Sequence, residues 1–84
     1  MSLPQPTPLQ IQQARLNAEL THRKAAEIAG LSDAQAWSKY ENPDSGKTIP
    51  VWRWEWFLVQ TGQHPTMHLA EGPGPLAHKL NIAP

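Results

Sequence analysis

Cysteine is missing from all 84 residues, so neither a disulfide nor a thiolate zinc site holds this chain together. A net charge is missing too: seven basic residues stand against seven acidic ones. Nucleic-acid modules are usually basic, and the balance counts against such a partner. No apolar run approaches the ~20 residues of a membrane-spanning helix, and no membrane partner is expected. The opening Met1-Ser2-Leu3-Pro4-Gln5-Pro6 has neither the basic region nor the apolar core of a signal peptide, so the expected location is cytoplasmic. At this length the chain is one domain, with no room for a large catalytic cleft beside its core.

Tryptophan is what the chain has in quantity. Four of them are a large apolar resource for a domain that must be stabilised by packing alone. Dimerisation is a second way to complete such a core.

Residues 21–41 organise the rest. Thr21 offers a hydroxyl cap to a first short helix, and Lys24 stands where a capping box would want Glu or Gln. Ala25, Ala26, Ile28 and Ala29 keep that helix thin, so a second can cross close to it. Gly30 supplies the left-handed backbone that ends a helix without steric cost. Leu31 drops between the helices, Ser32 is the expected cap of the next one, and Asp33 favours its positive end. Ala36, Trp37 and Tyr40 then turn inward at helical spacing, leaving Asp33, Ala34, Gln35, Ser38 and Lys39 outside. Two short helices joined by a glycine turn make a helix-turn-helix, the unit that lays its second helix in the major groove of DNA.

Before this stretch, residues 1–6 are proline-rich and expected to fray. Thr7-Pro8-Leu9-Gln10 is a strong helix start, with a threonine cap, proline in the first turn and glutamine at the capping-box position. That helix runs to about Ala18, with Ile11, Ala14, Arg15 and Ala18 facing the core and Leu16 partly exposed. After it, Asn42-Pro43-Asp44-Ser45-Gly46 is dense in turn formers. Residues 50–61 read two ways. Val51-Trp52-Arg53-Trp54-Glu55-Trp56 alternates like a strand. Proline in the first turn, the length, and Gly62 just past the end favour a helix. As a helix it carries two apolar faces, Trp52/Trp56/Val59 and Val51/Trp54/Leu58. The second is the expected dimer interface. Residues 63–84, with Gly72-Pro73-Gly74-Pro75 as a linker, form a tail that is partly ordered, serves dimerisation, or receives a protein partner.

The residues Ala14-Arg15, Leu20-Thr21, Ala26, Gly30-Leu31-Ser32, Trp37 and Tyr40-Glu41-Asn42 resemble the Cro/repressor-type helix-turn-helix regulators of phages and plasmids. Gly46-Lys47-Thr48, Pro50 and Trp54-Glu55-Trp56-Phe57-Leu58 extend the resemblance, which covers about residues 8–64. Three features depart from that pattern. Members of the family usually have one residue fewer between Ser32 and Trp37. Glu19 stands where glycine is usual. The loop Asn42–Thr48 is longer. The resemblance implies an all-α fold, a compact bundle of four to five short helices with the helix-turn-helix domain at 7–62. It also implies that Arg15 pairs with Glu41; the alternative is a solvated arginine whose stem covers Ala18.

The expected partner is double-stranded DNA, bound by a homodimer on an inverted repeat. Gln35 and Lys39 lie four apart on the outer face of the second helix. Glutamine suits adenine and lysine suits guanine, with Ser38 and Ala34 bordering them. Counting the family pattern back from Glu41 puts Ala34, Gln35 and Lys39 on base edges; counting forward from Gly30 puts Asp33, Ala34 and Lys39 there. Thr21, His22 and Arg23, with Asn42, Lys47 and Thr48, are the expected phosphate contacts. Gly46-Lys47-Thr48 also resembles the end of a phosphate-binding loop, but it lacks the upstream glycine and the preceding strand. His64 and His68 have helical metal-ligand spacing, but Pro65 intervenes and no third ligand is evident, so neither metal nor cofactor is expected. No nucleophile is accompanied by a base and an orienting acid, so an enzyme is not expected. The reading is a sequence-specific transcriptional regulator, a repressor excluding polymerase. The alternatives are an antitoxin-like interaction module using the Trp-rich helix and tail, and a helical adaptor that binds no DNA.

Overall fold

The computed structural model describes residues 3–65, and over them the chain forms four α-helices and no strand. α1 is Pro8–Asn17, α2 is His22–Ala29, α3 is Ala34–Glu41 and α4 is Val51–Gln60. The all-helical reading therefore stands, and the alternating tryptophans lie on a helix. No helix among the described residues is long and apolar enough to cross a membrane.

α1 begins with the full reciprocal cap. Thr7 Oγ1 accepts from the Gln10 N–H at 3.1 Å, and Gln10 Oε1 accepts from the Thr7 N–H at 2.9 Å. Ile11, Ala14 and Arg15 face inward, while Leu9 and Leu16 lie exposed on the other side. The helix ends where Glu19 takes φ +56° and the Leu20 N–H donates back to the Arg15 carbonyl at 3.1 Å. That left-handed step is the one glycine makes without cost.

α2 starts on the Thr21 hydroxyl, which accepts from the Lys24 N–H at 3.1 Å. It ends at Gly30, φ +80°, and the Leu31 N–H closes the turn on the Ala26 carbonyl at 2.8 Å. Ala25, Ala26 and Ala29 are fully buried, and their small size lets α3 cross directly over them. The start of α3 corrects the sequence reading. Asp33, not Ser32, is the N-cap, its carboxylate accepting from the Ala36 N–H at 2.9 Å.

Trp37 is the centre of the core, fully buried, with its ring 4.6 Å from that of Phe57 and edge-on to Tyr40. Trp54, Phe57 and Leu58 of α4 complete this core. The expected dimer face is thus corrected: Trp54 and Leu58 are buried in the chain's own core and Val51 is half-buried. The face left outside is the other one, where Trp52 is 63% and Trp56 49% exposed. The ring that Trp37 meets from α4 is that of Phe57, buried along with Trp54 and Leu58.

Both boundaries of the folded unit also move outward. Leu3 and Pro6 are buried, and Gln5 Nε2 donates to the Ile49 carbonyl at 2.7 Å, so residues 3–6 are packed rather than frayed. Past α4, Gly62 at φ +72° turns the chain back, and Gln63 and His64 are buried. Gln63 Nε2 donates to the Ala14 carbonyl at 2.8 Å, tying the end of α4 to α1. His64 Nε2 lies 3.1 Å from Glu55 Oε1. The rest of the expected tail, with His68 of the candidate metal pair, lies outside the described residues.

Candidate nucleic-acid interface

The outer side of α3 carries the residues expected to read bases. Gln35 and Lys39 are exposed, and Ala34 and Ser38 are half-buried beside them. Trp37 anchors the helix from behind, so its outer side is held by a packed core rather than by its own eight-residue helical tendency. Asp33 is exposed, and one oxygen of its carboxylate is engaged at the helix start, accepting from the Ala36 N–H. It is a capping residue, and Ala34 then becomes the first helical position of α3.

A groove of about 290 Å³ runs between α2 and the start of α3, lined by Arg23, Glu27, Ser32 and Ala34 among others. It brings the phosphate candidate Arg23 and the base candidate Ala34 to one surface. Thr21 is spent on the cap of α2. His22, the first residue of α2, points at α3, with Nε2 3.4 Å from Glu41 Oε1.

Glu41 is the joint of the whole arrangement. Arg15 Nε donates to Oε2 at 2.7 Å and Arg15 Nη2 to Oε1 at 3.3 Å, a forked contact with both side chains about nine-tenths buried. Arg15 Nη1 also holds the Leu20 carbonyl at 3.0 Å, and the Trp37 indole N–H donates to Glu41 Oε2. One carboxylate therefore locks α1, the start of α2, and both ends of α3's last turn. The pair that the resemblance implied is present; the Trp37 and His22 contacts on it were not foreseen.

The loop after α3 is built on its own polar groups. Asn42 Oδ1 accepts from the Asp44 N–H at 2.9 Å, Ser45 Oγ donates to the Lys39 carbonyl at 2.5 Å, and the Lys47 N–H donates to Ser45 Oγ at 3.2 Å. Asn42 and the Lys47 amide thus shape the loop, which leaves the exposed Lys47 and Thr48 side chains facing solvent. Gly46, φ +74°, provides the bend between them and Ser45.

Arg53 is a residue whose role the sequence did not disclose. Its Nη1 donates to the Ala29 carbonyl at 2.6 Å, at the negative end of α2, and its guanidinium stacks 4.6 Å above the Trp52 ring. The nine charges from Thr21 to Arg53 can now be sorted. Glu41 and Arg53 are used inside the fold, and Lys24 pairs with Glu27 at 3.4 Å. Arg23, Lys39 and Lys47 remain against Asp33 and Asp44, three against two, an excess of one positive charge. No cluster of three metal-binding side chains occurs among the described residues. No family model, no curated protein and no solved structure matches this chain.

Proposed function

We propose that this protein is a small sequence-specific DNA-binding transcriptional regulator, acting as a repressor and binding an inverted repeat as a homodimer. The observation that supports it most is the pairing of α2 and α3 across the left-handed Gly30. It leaves Gln35 and Lys39 exposed on the far side of a helix whose near side holds a fully buried Trp37. Two short helices so joined present the second one to the major groove. In this reading Ala34, Gln35, Ser38 and Lys39 read bases. His22, Arg23, Lys47 and Thr48 hold phosphates, and repression is steric.

The single excess positive charge predicts modest non-specific affinity. The test is selection from random duplexes with the purified protein, followed by a mobility shift on the enriched sequence at moderate salt. An enriched inverted repeat that the protein shifts alone supports the reading. No enrichment refutes it.

A second reading, a protein-interaction module such as an antitoxin or adaptor, is favoured by one observation: Trp52 and Trp56 stand exposed four residues apart on α4. Isolated exposed apolar residues are ordinary, but two tryptophans on one helical stripe are a contact surface. A DNA shift that appears only in the presence of a second protein would select this reading over the first.

A further inference from the structure

One flank of the molecule is uncharged. From its start to Ala18 the chain holds a single charged side chain, Arg15, and every other one of the seven basic and seven acidic residues follows. Arg15 is buried against Glu41, so the outer face of α1 carries no charge. Leu9 and Leu16 stand on that face, 71% and 51% exposed. At this spacing they lie on one stripe about 10 Å long, with Gln12 and Gln13 between them. At Leu9 is an open, mostly apolar hollow of about 320 Å³, lined by Thr7, Pro8, Leu9, Gln12, Glu41 and Pro43. Its one charged residue, Glu41, is already paired with Arg15.

We propose that this face of α1 is where two copies of the chain meet, antiparallel about a two-fold axis. The proposal deepens the homodimer of the reading above and rests on it. A two-fold interface sets a patch against itself, so a charged group near the axis meets its own copy. A face without charge avoids that repulsion, and glutamine, which both donates and accepts, is able to bond to another glutamine. The stripe also matches itself in shape. With the axis between Gln12 and Gln13, Leu16 of each copy lies against Leu9 and the hollow of the other, and Gln12 faces Gln13. An apolar projection at one end of the stripe thus meets an apolar recess at the other. DNA phosphates find no cation on this face. The Trp52/Trp56 stripe of α4 is less suited to self-pairing. The Arg53 guanidinium already lies over the Trp52 ring, and Arg53 and Glu55 bring charge between the two tryptophans.

The test is sedimentation velocity of the full chain without DNA, from about 5 to about 500 µM, on wild type, Leu9→Glu, Leu16→Lys and Trp56→Asp. An acidic residue near the start of α1 and a basic one near its end suit the helix dipole, so both α1 variants should keep the fold, as circular dichroism verifies. Wild type should dimerise. Leu9→Glu and Leu16→Lys should each raise the dimer dissociation constant by at least about tenfold, and Trp56→Asp should leave it unchanged. Mixed in equal amounts, Leu9→Glu and Leu16→Lys should pair again. The antiparallel arrangement then sets glutamate against lysine at one end and leucine against leucine at the other. A mixture that stays monomeric overturns this interface. So does either α1 variant dimerising as wild type does, which leaves the homodimer standing on another surface. A wild type that is monomeric throughout removes the interface and the homodimer together, and leaves the stripe to residues 66–84 or to a different protein. Selection from random duplexes still tests DNA binding separately.

Discussion

Arg15 and Glu41, 26 residues apart, meet in a forked ion pair that joins α1 to the end of α3. Both side chains are about nine-tenths buried, so neither charge is answered by water if the other is removed. Arg15→Met should destabilise the fold by about 3 kcal/mol in a urea melt, because it leaves the buried Glu41 carboxylate without its guanidinium partner, the Trp37 N–H remaining on it. The double variant Arg15→Met with Glu41→Leu should recover only part of that loss: the desolvation of both ions is avoided, but the Trp37 indole N–H and the Leu20 carbonyl lose their partners. A loss below about 0.5 kcal/mol in the single variant would show the pair to be dispensable.

Glu19 makes a different prediction. It is exposed and sits at φ +56°, a conformation that costs a residue with a Cβ about 1–2 kcal/mol. Glycine removes that strain but brings extra chain entropy to the unfolded state, which offsets about 0.5–1 kcal/mol. Glu19→Gly should therefore stabilise the protein by about 0.5–1 kcal/mol, read as a higher urea midpoint at unchanged slope. A lower midpoint would mean that Glu19 makes compensating contacts.

Two adjacent candidates compete to start α3, and they are separable by mutation. Asp33→Ala should cost about 1 kcal/mol, the usual loss when a capping oxygen is removed. Ser32→Ala should change stability by less than about 0.3 kcal/mol, since its hydroxyl does not cap the helix. The reverse order would move the helix start back by one residue, to a cap at Ser32.

How much of this was readable in advance divides along physical lines. Thr7-Pro8-x-Gln10, Thr21 and Gly30 act within a few residues of themselves, and each does locally what its chemistry suggests. Ser32 and Asp33 are both good caps, and local chemistry does not rank them. The choice is made at a distance, by where α3 must lie for Trp37 to meet Phe57. The two faces of α4 are ambiguous for the same reason. Periodicity shows that Trp52/Trp56 and Trp54/Leu58 are opposed, not which side the core takes. Gln63 and His64 look like tail residues because their burial depends on Gly62 reversing the chain toward α1. Of the candidate interface, the outward set on α3 was legible. The internal duties of Asn42 and Arg53 were not, since a polar side chain in a loop or helix reads the same whether it meets solvent or a backbone group.

Lys39 and Lys47 test the division of labour in the proposed interface. Lys39 lies on the outer side of α3, and Lys47 lies in the loop beyond it. Lys39→Ala should relax base preference at one position of each half-site, at a cost of about 1–3 kcal/mol on the selected duplex alone. Lys47→Ala should weaken selected and scrambled duplexes alike and lower the salt slope by about one. Binding isotherms on both duplexes at several salt concentrations give both quantities. Equal, sequence-blind effects from the two variants would remove Lys39 from the base-reading set.

The four tryptophans separate core from contact surface. Trp37 and Trp54 are fully buried, while Trp52 and Trp56 are largely open. Trp54→Ala should cost about 3–5 kcal/mol, as large core deletions do, and in so small a domain that approaches complete unfolding. Trp52→Ala should leave the stability of the fold within about 1 kcal/mol, the loss being mainly its stacking on Arg53. Acrylamide should quench the Trp52 and Trp56 emission readily and spare the other two, and the single Trp→Phe variants assign each signal. If the subunits associate through this stripe, quenching should fall as protein concentration rises, and Trp56→Asp should abolish the change while leaving helical content intact. Quenching that stays high at every concentration would place any self-association elsewhere on the molecule. Because Trp54 and Leu58 are already consumed by the core, it would then have to use a surface other than α4.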